Sequence, residues 1–332
     1  AVSHFEPEAN TVVLEGCRRV RYAQLVVCPG LKLDWGAIAG LEDTLGTNGV
    51  TSNYRFDLAP YTWELVQRFQ GGTALFTQPP MPIKCAGAPQ KAMYLSCDAW
   101  RRRGVLDKTD VRFESAGATL FGVADYVPAL MEYVRAYGIH LDFGRRLTAV
   151  DGPSRIATFA VAGPEGERIE QVSFDMLHVV PPQVAPDFIR ASPLADPAGW
   201  ADVDQATLRS KRYPNVFALG DAAGTPNAKT AAAARKQAPV VAHNLMLERG
   251  SGAREARYDG YGSCPLTVER GKIVLAEFTY GGKLAPSFPA WLLDGRKPSR
   301  LAWLLKERIL PPLYWRGMLK GREWLARPEM VG

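Results

Sequence analysis

The chain has 332 residues, of which 47% are hydrophobic and 22% are charged, a balance typical of a soluble globular protein with two domains of ordinary size. This composition excludes a single small binding module and an intrinsically disordered chain. The 40 Lys and Arg residues exceed the 34 Asp and Glu residues by only 6. Because no long basic run is present, we expect no nucleic acid partner.

Neither a disulfide scaffold nor a membrane-spanning helix is predicted. The 5 cysteines are an odd number and lie far apart, in a chain too large to need cross-links, so the question becomes which thiols are reactive. No run approaches the roughly 18 apolar residues that a spanning helix needs. The chain begins with Ala-Val-Ser-His-Phe, without an initiator Met or a signal peptide, and we expect it to be a fragment.

The first elements in chain order are short strands followed by a helix. Apolar runs at 11–14 and 25–28 predict strands, and the second run ends in a tight turn at Gly30. At such a turn the backbone can approach a ligand closely. Apolar residues at helical spacing predict a helix over 61–69.

Strands and helices then alternate along the chain. Strands connected by helices of about 10 to 15 residues predict βαβ units and a parallel sheet, so the predicted fold class is α/β. The predicted strands are 73–77, 110–114, 139–143 and 216–220, and the predicted helices are 90–103, 124–137 and 229–249.

The strand at 216–220 ends in the most interpretable short motif, Gly220-Asp221. Gly220 lets the backbone pass close to a ligand, and Asp221 can accept hydrogen bonds from sugar-like hydroxyls. The helix that begins near Lys229 presents free N–H groups and the positive end of its dipole. The alternative interpretation is a simple β-turn before a helix.

Two cysteines have surroundings that favour reactivity. Cys85 lies just before a predicted helix and between Lys84 and Lys91, where a thiolate is stabilised. Cys264 lies in a second loop of small residues. The remaining thiols are expected to be inert: Cys28 and Cys97 as buried small hydrophobes and Cys17 as an exposed thiol. The four scattered histidines and the lack of a C-x-x-C spacing predict no metal site.

The segment after Pro286 combines aromatic and basic residues. It contains four of the eight Trp residues and nine cations against four acidic residues. Amphipathic helices of this composition lie in the headgroup region of a bilayer, so we expect this tail to contact a membrane surface. A helical pair packed on the protein itself or on a partner is the alternative. The residues are Trp291, Trp303, Trp315 and Trp324, with Arg296, Lys297, Arg300, Lys306, Arg308, Arg316, Lys320, Arg322 and Arg327.

Five motifs together resemble sulfide:quinone oxidoreductase, in the form found in mitochondria and related bacteria. The resemblance follows the chain in order over nearly its whole length, and the two cysteine motifs are the specific part. The motifs are Lys-Cys-Ala-Gly-Ala-Pro-Gln-Lys at 84–91, Met-Leu-His-Val-Val-Pro-Pro at 176–182, Arg-Tyr-Pro-Asn-Val-Phe-Ala-Leu-Gly-Asp at 212–221, Lys-Thr-Ala-Ala-Ala at 229–233 and Tyr-Asp-Gly-Tyr-Gly-Ser-Cys-Pro-Leu at 258–266.

The resemblance implies that Cys85 and Cys264 form a redox-active pair beside FAD. Hydrogen sulfide would leave a persulfide on Cys85, which passes its sulfur to glutathione, sulfite or coenzyme A, while the Cys264 thiolate donates electrons to the flavin. Electrons would continue to ubiquinone or another quinone. The implied cofactor residues are Gly30, Lys91, Gly220, Asp221 and Lys229, and the implied quinone pocket contains Phe278 and Tyr280.

The resemblance also implies two interleaved Rossmann-like domains of the disulfide reductase type and an amphipathic tail. We assign 1–60 and 181–257 to the FAD-binding domain, 61–180 to a second nucleotide-binding-like domain and 258–332 to the quinone site and membrane tail. The implied location is the surface of the bacterial or mitochondrial inner membrane, as a peripheral protein.

One departure from the family concerns the front of the chain. Family members begin with a G-x-G-x-x-G turn that holds the FAD pyrophosphate, and no such motif precedes residue 60, so about the first hundred residues of the family are expected to be missing. Cofactor binding by this chain alone is therefore in question.

Two alternative functions are a type II NADH:quinone dehydrogenase and a non-catalytic membrane-binding module. The dehydrogenase needs a Gly-rich turn where this chain has Gln-Pro-Pro-Met at 78–81.

Overall fold

A computed structural model of the chain describes residues 1–164, 166–250 and 254–331. Predicted helices are observed close to their expected bounds, with small shifts at the ends, where assignments vary by one or two residues. The α-helices are α1 (Leu41–Thr44), α2 (Ala59–Arg68), α3 (Ala88–Arg103), α4 (Val127–Tyr137), α5 (Asp187–Arg190), α6 (Ala231–Glu248), α7 (Arg300–Leu304) and α8 (Leu310–Arg316), with a π-helical turn at Leu305–Ile309.

The strands form several small sheets and one larger one. In chain order they are β1 (Val2–Glu6), β2 (Thr11–Leu14), β3 (Arg19–Arg21), β4 (Leu25–Val27), β5 (Lys32–Leu33), β6 (Val50–Thr51), β7 (Gly72–Gln78), β8 (Thr109–Ser115), β9 (His140–Phe143), β10 (Arg145–Asp151), β11 (Ile156–Gly163), β12 (Gly166–Ser173), β13 (Met176–His178), β14 (Gln183–Val184), β15 (Val216–Ala218), β16 (Glu255–Arg257), β17 (Gly262–Glu269), β18 (Lys272–Phe278) and β19 (Glu329–Val331).

The larger sheet has five parallel strands in the order β6-β13-β7-β8-β9. Its central strand β7 is an apolar run, and Leu75 and Phe76 are fully buried, as expected for a parallel strand covered on both faces. Phe76 packs near Trp100 of α3. The predicted α/β class and parallel sheet are confirmed. Strand β6 pairs within this sheet, although the predicted second domain begins only at residue 61.

A second parallel pair, β4 with β15, carries the motifs at Gly30 and Gly220 at its carboxyl end. Helix α6 follows β15, and the Thr230 side chain caps it by accepting a hydrogen bond from Ala233 N–H at 3.1 Å. The prediction for Cys28 was wrong: it is exposed rather than buried, because β4 ends at Val27 and Cys28 belongs to the turn. Cys97 is buried, as predicted.

The antiparallel hairpin β17–β18 packs against α3 and joins the core of the five-stranded sheet. Leu266 and Val268 of β17 are completely buried in the same cluster as Met93 of α3. This packing brings residues near 264 against residues near 87, which are remote in sequence. It is the contact on which the candidate site depends.

The tail, the segment after Pro286, contains α7, the π-helical turn, α8 and β19. Three of its four Trp side chains are exposed, namely Trp291, Trp315 and Trp324. Trp303 instead packs beside a small core formed by β18 and α7. Within the part of the chain that the structure describes, no helix combines the length and apolar character needed to cross a bilayer.

Candidate active site

Cys85 lies between β7 and α3 in a backbone conformation that side chains rarely adopt. Its φ of +52° is left-handed, a strained conformation that persists only where the surroundings hold it. The Cys85 N–H donates to the Lys229 carbonyl at 2.7 Å, and the Cys85 carbonyl accepts from Ala88 N–H at 2.7 Å. The partly buried Tyr54 hydroxyl donates to the Lys84 carbonyl at 2.9 Å. These bonds hold Cys85 in one position.

The structure brings the two predicted cysteines together. Cys264 lies on β17 opposite Ala276 of β18 and is buried, and its sulfur is 3.7 Å from that of Cys85. A single bridging sulfur, bonded to each at about 2.05 Å, spans nearly this distance. Gly87 permits the approach, because a Cβ at this position would lie 2.6 Å from the Cys264 sulfur.

The two thiols differ in acidity. The hydrogen bond from Cys264 and the positive charge of Lys91 lower the pKa of Cys85 to about 5, against the effect of burial. The Lys91 ammonium donates to the Cys85 sulfur at 3.0 Å. The same sulfur–sulfur hydrogen bond and burial raise the pKa of Cys264 well above its usual range. When both thiols are reduced, the thiolate is therefore on Cys85.

A second lysine lies near the pair. Lys306 belongs to the π-helical turn of the tail, and its ammonium donates to the Thr267 hydroxyl at 3.0 Å. Burial, and repulsion by Lys91, lower the pKa of Lys306, while Cys85 opposes this. The sequence analysis grouped Lys306 with the membrane-facing cations. The structure instead directs the Lys306 ammonium inward, to Thr267 of β17.

A cavity of about 880 Å³ lies beside Cys85, a size usual for cofactor sites. Gly30, Gly220, Asp221 and Lys229 line it, so four of the five predicted cofactor residues meet at one place. Lys91 lies instead in a neighbouring groove. Sequence reasoning missed several other lining residues, among them Tyr54, Tyr314 and Met318. The aromatic content of the tail was the only available signal for Tyr314.

The lining suits the ring and sugar-like chain of a flavin. Gly220 has a φ of +71°, which favours glycine and leaves its face of the cavity open. The Asp221 carboxylate accepts no hydrogen bond from the described residues, so its acceptors are available to hydroxyls. The N-terminus of α6 adds a positive dipole end at Thr230 and Ala231.

Lys229 lies in the cavity wall. Its ammonium donates to the carbonyls of Asp221 (2.7 Å) and Ala223 (3.1 Å) and sits 3.8 Å from the centre of the Trp200 ring. Burial lowers the pKa of Lys229 to about 8, although Asp221 opposes this. The backbone carbonyl of the same residue binds Cys85 N–H. Lys229 thus connects the cavity to the cysteine loop.

The predicted quinone residues lie elsewhere. Phe278 and Tyr280 line a separate cavity of about 530 Å³ that includes Cys264. The larger cavity includes Cys85 but not Cys264. The sulfur that borders the predicted flavin residues is therefore that of Cys85, whereas the resemblance implied Cys264 as the electron donor. The tail residues Tyr314 and Met318, rather than Phe278 and Tyr280, border that cavity.

No family model matches the chain, but curated relatives do. It is 41% identical over 329 residues to mitochondrial sulfide:quinone oxidoreductase of Dictyostelium discoideum, covering 98% of this chain and 71% of the relative. Identity to the mouse enzyme of that name is 38% over 320 residues, covering 96% and 70%. The chain belongs to the sulfide:quinone oxidoreductase family. The Schizosaccharomyces pombe member is 36% identical over 336 residues, covering 99% and 73%.

Comparison with solved structures supports the same fold for this chain. The sulfide:quinone oxidoreductase of Aquifex aeolicus matches 99% of this chain and 80% of its own, with a TM-score of 0.77 at 16% identity. A chain in the Tetrahymena thermophila mitochondrial ATP synthase structure matches 94% and 77%, with a TM-score of 0.79 at 25% identity. A water-forming NADH oxidase from Lactobacillus brevis matches 84% and 58%, with a TM-score of 0.54 at 16% identity. The fold is therefore that of the Rossmann-like flavin and disulfide oxidoreductases.

Proposed function

We propose that the chain oxidises hydrogen sulfide at the Cys85–Cys264 pair and passes the electrons through FAD to a membrane quinone. Membership of the sulfide:quinone oxidoreductase family supports the reaction class. The observation that carries the proposal for this chain is the 3.7 Å separation of the two sulfurs at the edge of the cavity that holds Gly220 and Asp221. A redox-active cysteine pair needs both features.

We infer the sulfur roles from the contact of the Lys91 ammonium with the Cys85 sulfur, which favours a thiolate on Cys85. In the oxidised pair, sulfide attacks one sulfur and the other leaves as a thiolate, and the thiol of lower pKa leaves faster. Cys85 is that leaving group, stabilised by Lys91. The persulfide therefore forms on Cys264, and the Cys85 thiolate remains beside the cavity. This reverses the roles that the resemblance implied.

The residues present fit a flavin, and we propose FAD. When bound, FAD accepts the electron pair and delivers it to the quinone. Asp221 would accept hydrogen bonds from its ribityl hydroxyls, and Gly30 and Gly220 would allow close backbone approach. The N-terminus of α6 and the Lys229 cation would stabilise negative charge on its ring edge. The Cys85 thiolate, which borders the same cavity, would give electrons to it.

A cationic groove next to Cys85 suits the sulfur acceptor. Lys91, Arg102 and Arg270 line this groove of about 650 Å³. Glutathione, sulfite and coenzyme A all carry negative charge, and clefts of one sign concentrate ligands of the other. We propose that this groove attracts the acceptor to the Lys91 side of the cysteine pair.

The tail carries the surface that we propose binds the membrane. Trp291 is 85% exposed, and Trp315, Trp324 and Leu325 are also mostly exposed, among Lys and Arg side chains. Exposed Trp with cations is typical of proteins bound at the headgroup level. We propose that this tail binds the bacterial or mitochondrial inner membrane as a peripheral anchor, and that quinone reaches the cavity past Tyr314 and Met318.

Absorbance of the purified protein tests the proposal. A visible flavin spectrum that sulfide bleaches and that a quinone restores is the expected result. Bleaching by NADH and not by sulfide would instead identify a type II NADH:quinone dehydrogenase. A protein with no flavin, before and after incubation with FAD, would contradict the proposal for this chain.

A further inference from the structure

A buried glutamine outside both cavities contacts the loop that carries Cys85. Gln183, the first residue of β14, directly follows the motif at 176–182, to which the proposed reaction assigns no role. It is 6% exposed, and its Oε1 atom accepts a hydrogen bond from Lys84 N–H at 2.7 Å. Lys84 directly precedes Cys85, although 99 positions separate it from Gln183. The pairing of β14 with β5 holds the Gln183 backbone in place.

The Lys84 N–H fixes the orientation of the Gln183 amide. With the amide reversed, two N–H groups would face each other, so the oxygen is the end that meets Lys84. The Gln183 side chain also lies near the Tyr54 hydroxyl. Burial and the two cysteines raise the pKa of Tyr54, and Gln183 opposes this. Tyr54 therefore keeps its proton and can donate it to the loop.

The peptide group between Lys84 and Cys85 is held at both of its polar atoms. Its carbonyl accepts from the Tyr54 hydroxyl at 2.9 Å, and its N–H donates to the Lys229 carbonyl at 2.7 Å. Rotation of this peptide group is the simplest way for Cys85 to leave its positive φ, and it would break both bonds. The bond to Gln183 fixes the preceding peptide group, so two consecutive peptide groups are held.

The backbone conformation of Cys85 determines what its sulfur touches. In this conformation the sulfur lies 3.0 Å from the Lys91 ammonium and 3.7 Å from the Cys264 sulfur. A positive φ is unfavourable for any residue other than glycine and persists only where the surroundings hold it. The three hydrogen bonds to this loop therefore keep the sulfur close to both partners.

We propose that Gln183 is a positioning residue, which acts through Lys84 N–H to keep the Cys85 sulfur within reach of its two partners. A neutral amide suits this role, because it accepts the hydrogen bond without placing a negative charge near the Cys85 thiolate. A carboxylate at the same place would disfavour that thiolate. The inference rests on the proposed reaction of the cysteine pair.

Redox titration of the purified chain tests the role of Gln183. Gln183→Met keeps the length of the side chain and removes the acceptor. The pair is equilibrated with reduced and oxidised glutathione at about pH 8, well above the Cys85 pKa of about 5, and mass spectrometry after alkylation gives the fraction of Cys85–Cys264 disulfide. We expect the equilibrium constant for disulfide formation to fall about tenfold, the size of one lost hydrogen bond.

The acidity of Cys85 gives a second readout, which a merely structural role would not change. In the reduced Gln183→Met chain, the midpoint for alkylation of Cys85 by iodoacetamide should rise by at least about 0.5 unit, because the sulfur leaves the Lys91 ammonium. Gln183→Glu retains an oxygen acceptor and its charge disfavours the thiolate. Its disulfide constant should therefore not fall below that of the unchanged chain.

Gln171→Met on the exposed β11–β12 hairpin is the matched control and should change neither quantity. An unaltered disulfide constant and midpoint in Gln183→Met would overturn the inference, and so would an equal loss in Gln183→Glu. A Gln183→Met chain that no longer unfolds cooperatively would assign Gln183 to the fold instead. If the unchanged chain itself forms no disulfide between Cys85 and Cys264, the proposed function fails.

Discussion

The surroundings of the two sulfurs, 3.7 Å apart, differ in almost every respect. Cys85 sits on a strained loop beside the Lys91 ammonium and borders the cavity proposed to hold the flavin. Cys264 sits on a regular strand, is buried and borders a cavity without charge. This asymmetry is the basis of the proposal that Cys85 is the leaving group and Cys264 the point of attack. The asymmetry comes from placement, because the side chains are identical.

Removal of either sulfur has the largest expected effect. Cys85→Ser and Cys264→Ser should each lower sulfide-dependent quinone reduction by at least about 10³-fold, since neither half of the pair can complete the exchange alone. The exposed Cys17 offers a matched control, and Cys17→Ser should retain full activity. Turnover that survives in both variants would remove the pair from the mechanism.

Gly87→Ala tests whether the sulfurs must meet. An added Cβ would lie 2.6 Å from the Cys264 sulfur and 2.3 Å from a Leu266 methyl, so the sulfurs must separate. We expect sulfide oxidation to fall about 10²-fold, as for a displacement of about 1 Å at a reacting atom. The rate of disulfide formation on mild oxidation should fall with it. Gly163→Ala on the hairpin should change neither, and a disulfide that forms as fast as before in Gly87→Ala would contradict the geometry.

Lys91→Met tests the origin of the charge asymmetry. The pKa of Cys85 is lowered to about 5, so its thiolate is present above that pH and its alkylation by iodoacetamide should follow a midpoint near it. Loss of the opposite charge should raise the midpoint by at least about 1 unit, which reduces the thiolate fraction near pH 6. The exposed Lys108 provides the control, as Lys108→Met. An unmoved midpoint would exclude Lys91 as a cause.

Tyr54→Phe has the smallest expected effect. It removes the hydroxyl that holds the Lys84 carbonyl next to Cys85 but keeps the ring, so sulfide oxidation should slow by about threefold to tenfold, the value of one hydrogen bond. Tyr133→Phe on α4 is the matched control. A change in stability with no change in the alkylation midpoint of Cys85 would show that Tyr54 supports only the fold.

Much of the local structure could be predicted from the pattern of the residues. The apolar run of β7 and the helical spacing of α2 lie within two residues of their predicted bounds, because periodic burial is a local property. The motif at Gly220 also gave the end of β15. The burial of Cys28 was predicted wrongly. The residue pattern does not show whether the last residue of an apolar run still belongs to the strand or already to the turn.

The site residues also divide into those that local motifs predicted and those that only contacts distant in sequence reveal. Gly30, Gly220, Asp221 and Lys229 stand on loops whose chemistry is visible in the sequence, and they do line one cavity. Gly87, Tyr54 and Lys306 gave no such signal. Their importance comes from neighbours elsewhere in the chain: Cys264 for Gly87, the Cys85 loop for Tyr54 and the cysteine pair for Lys306.

The sequence by itself determined the α/β class, the family and the two cysteines that matter, because these depend on local periodicity and on motifs read along the chain. Only the tertiary structure decided which sulfur is acidic and which cavity each one borders. Those properties depend on α3 packing against β17 and on the tail bringing Lys306 inward to Thr267. Contacts between residues 179 positions apart leave no trace in the spacing of either motif, since charge and burial act through space.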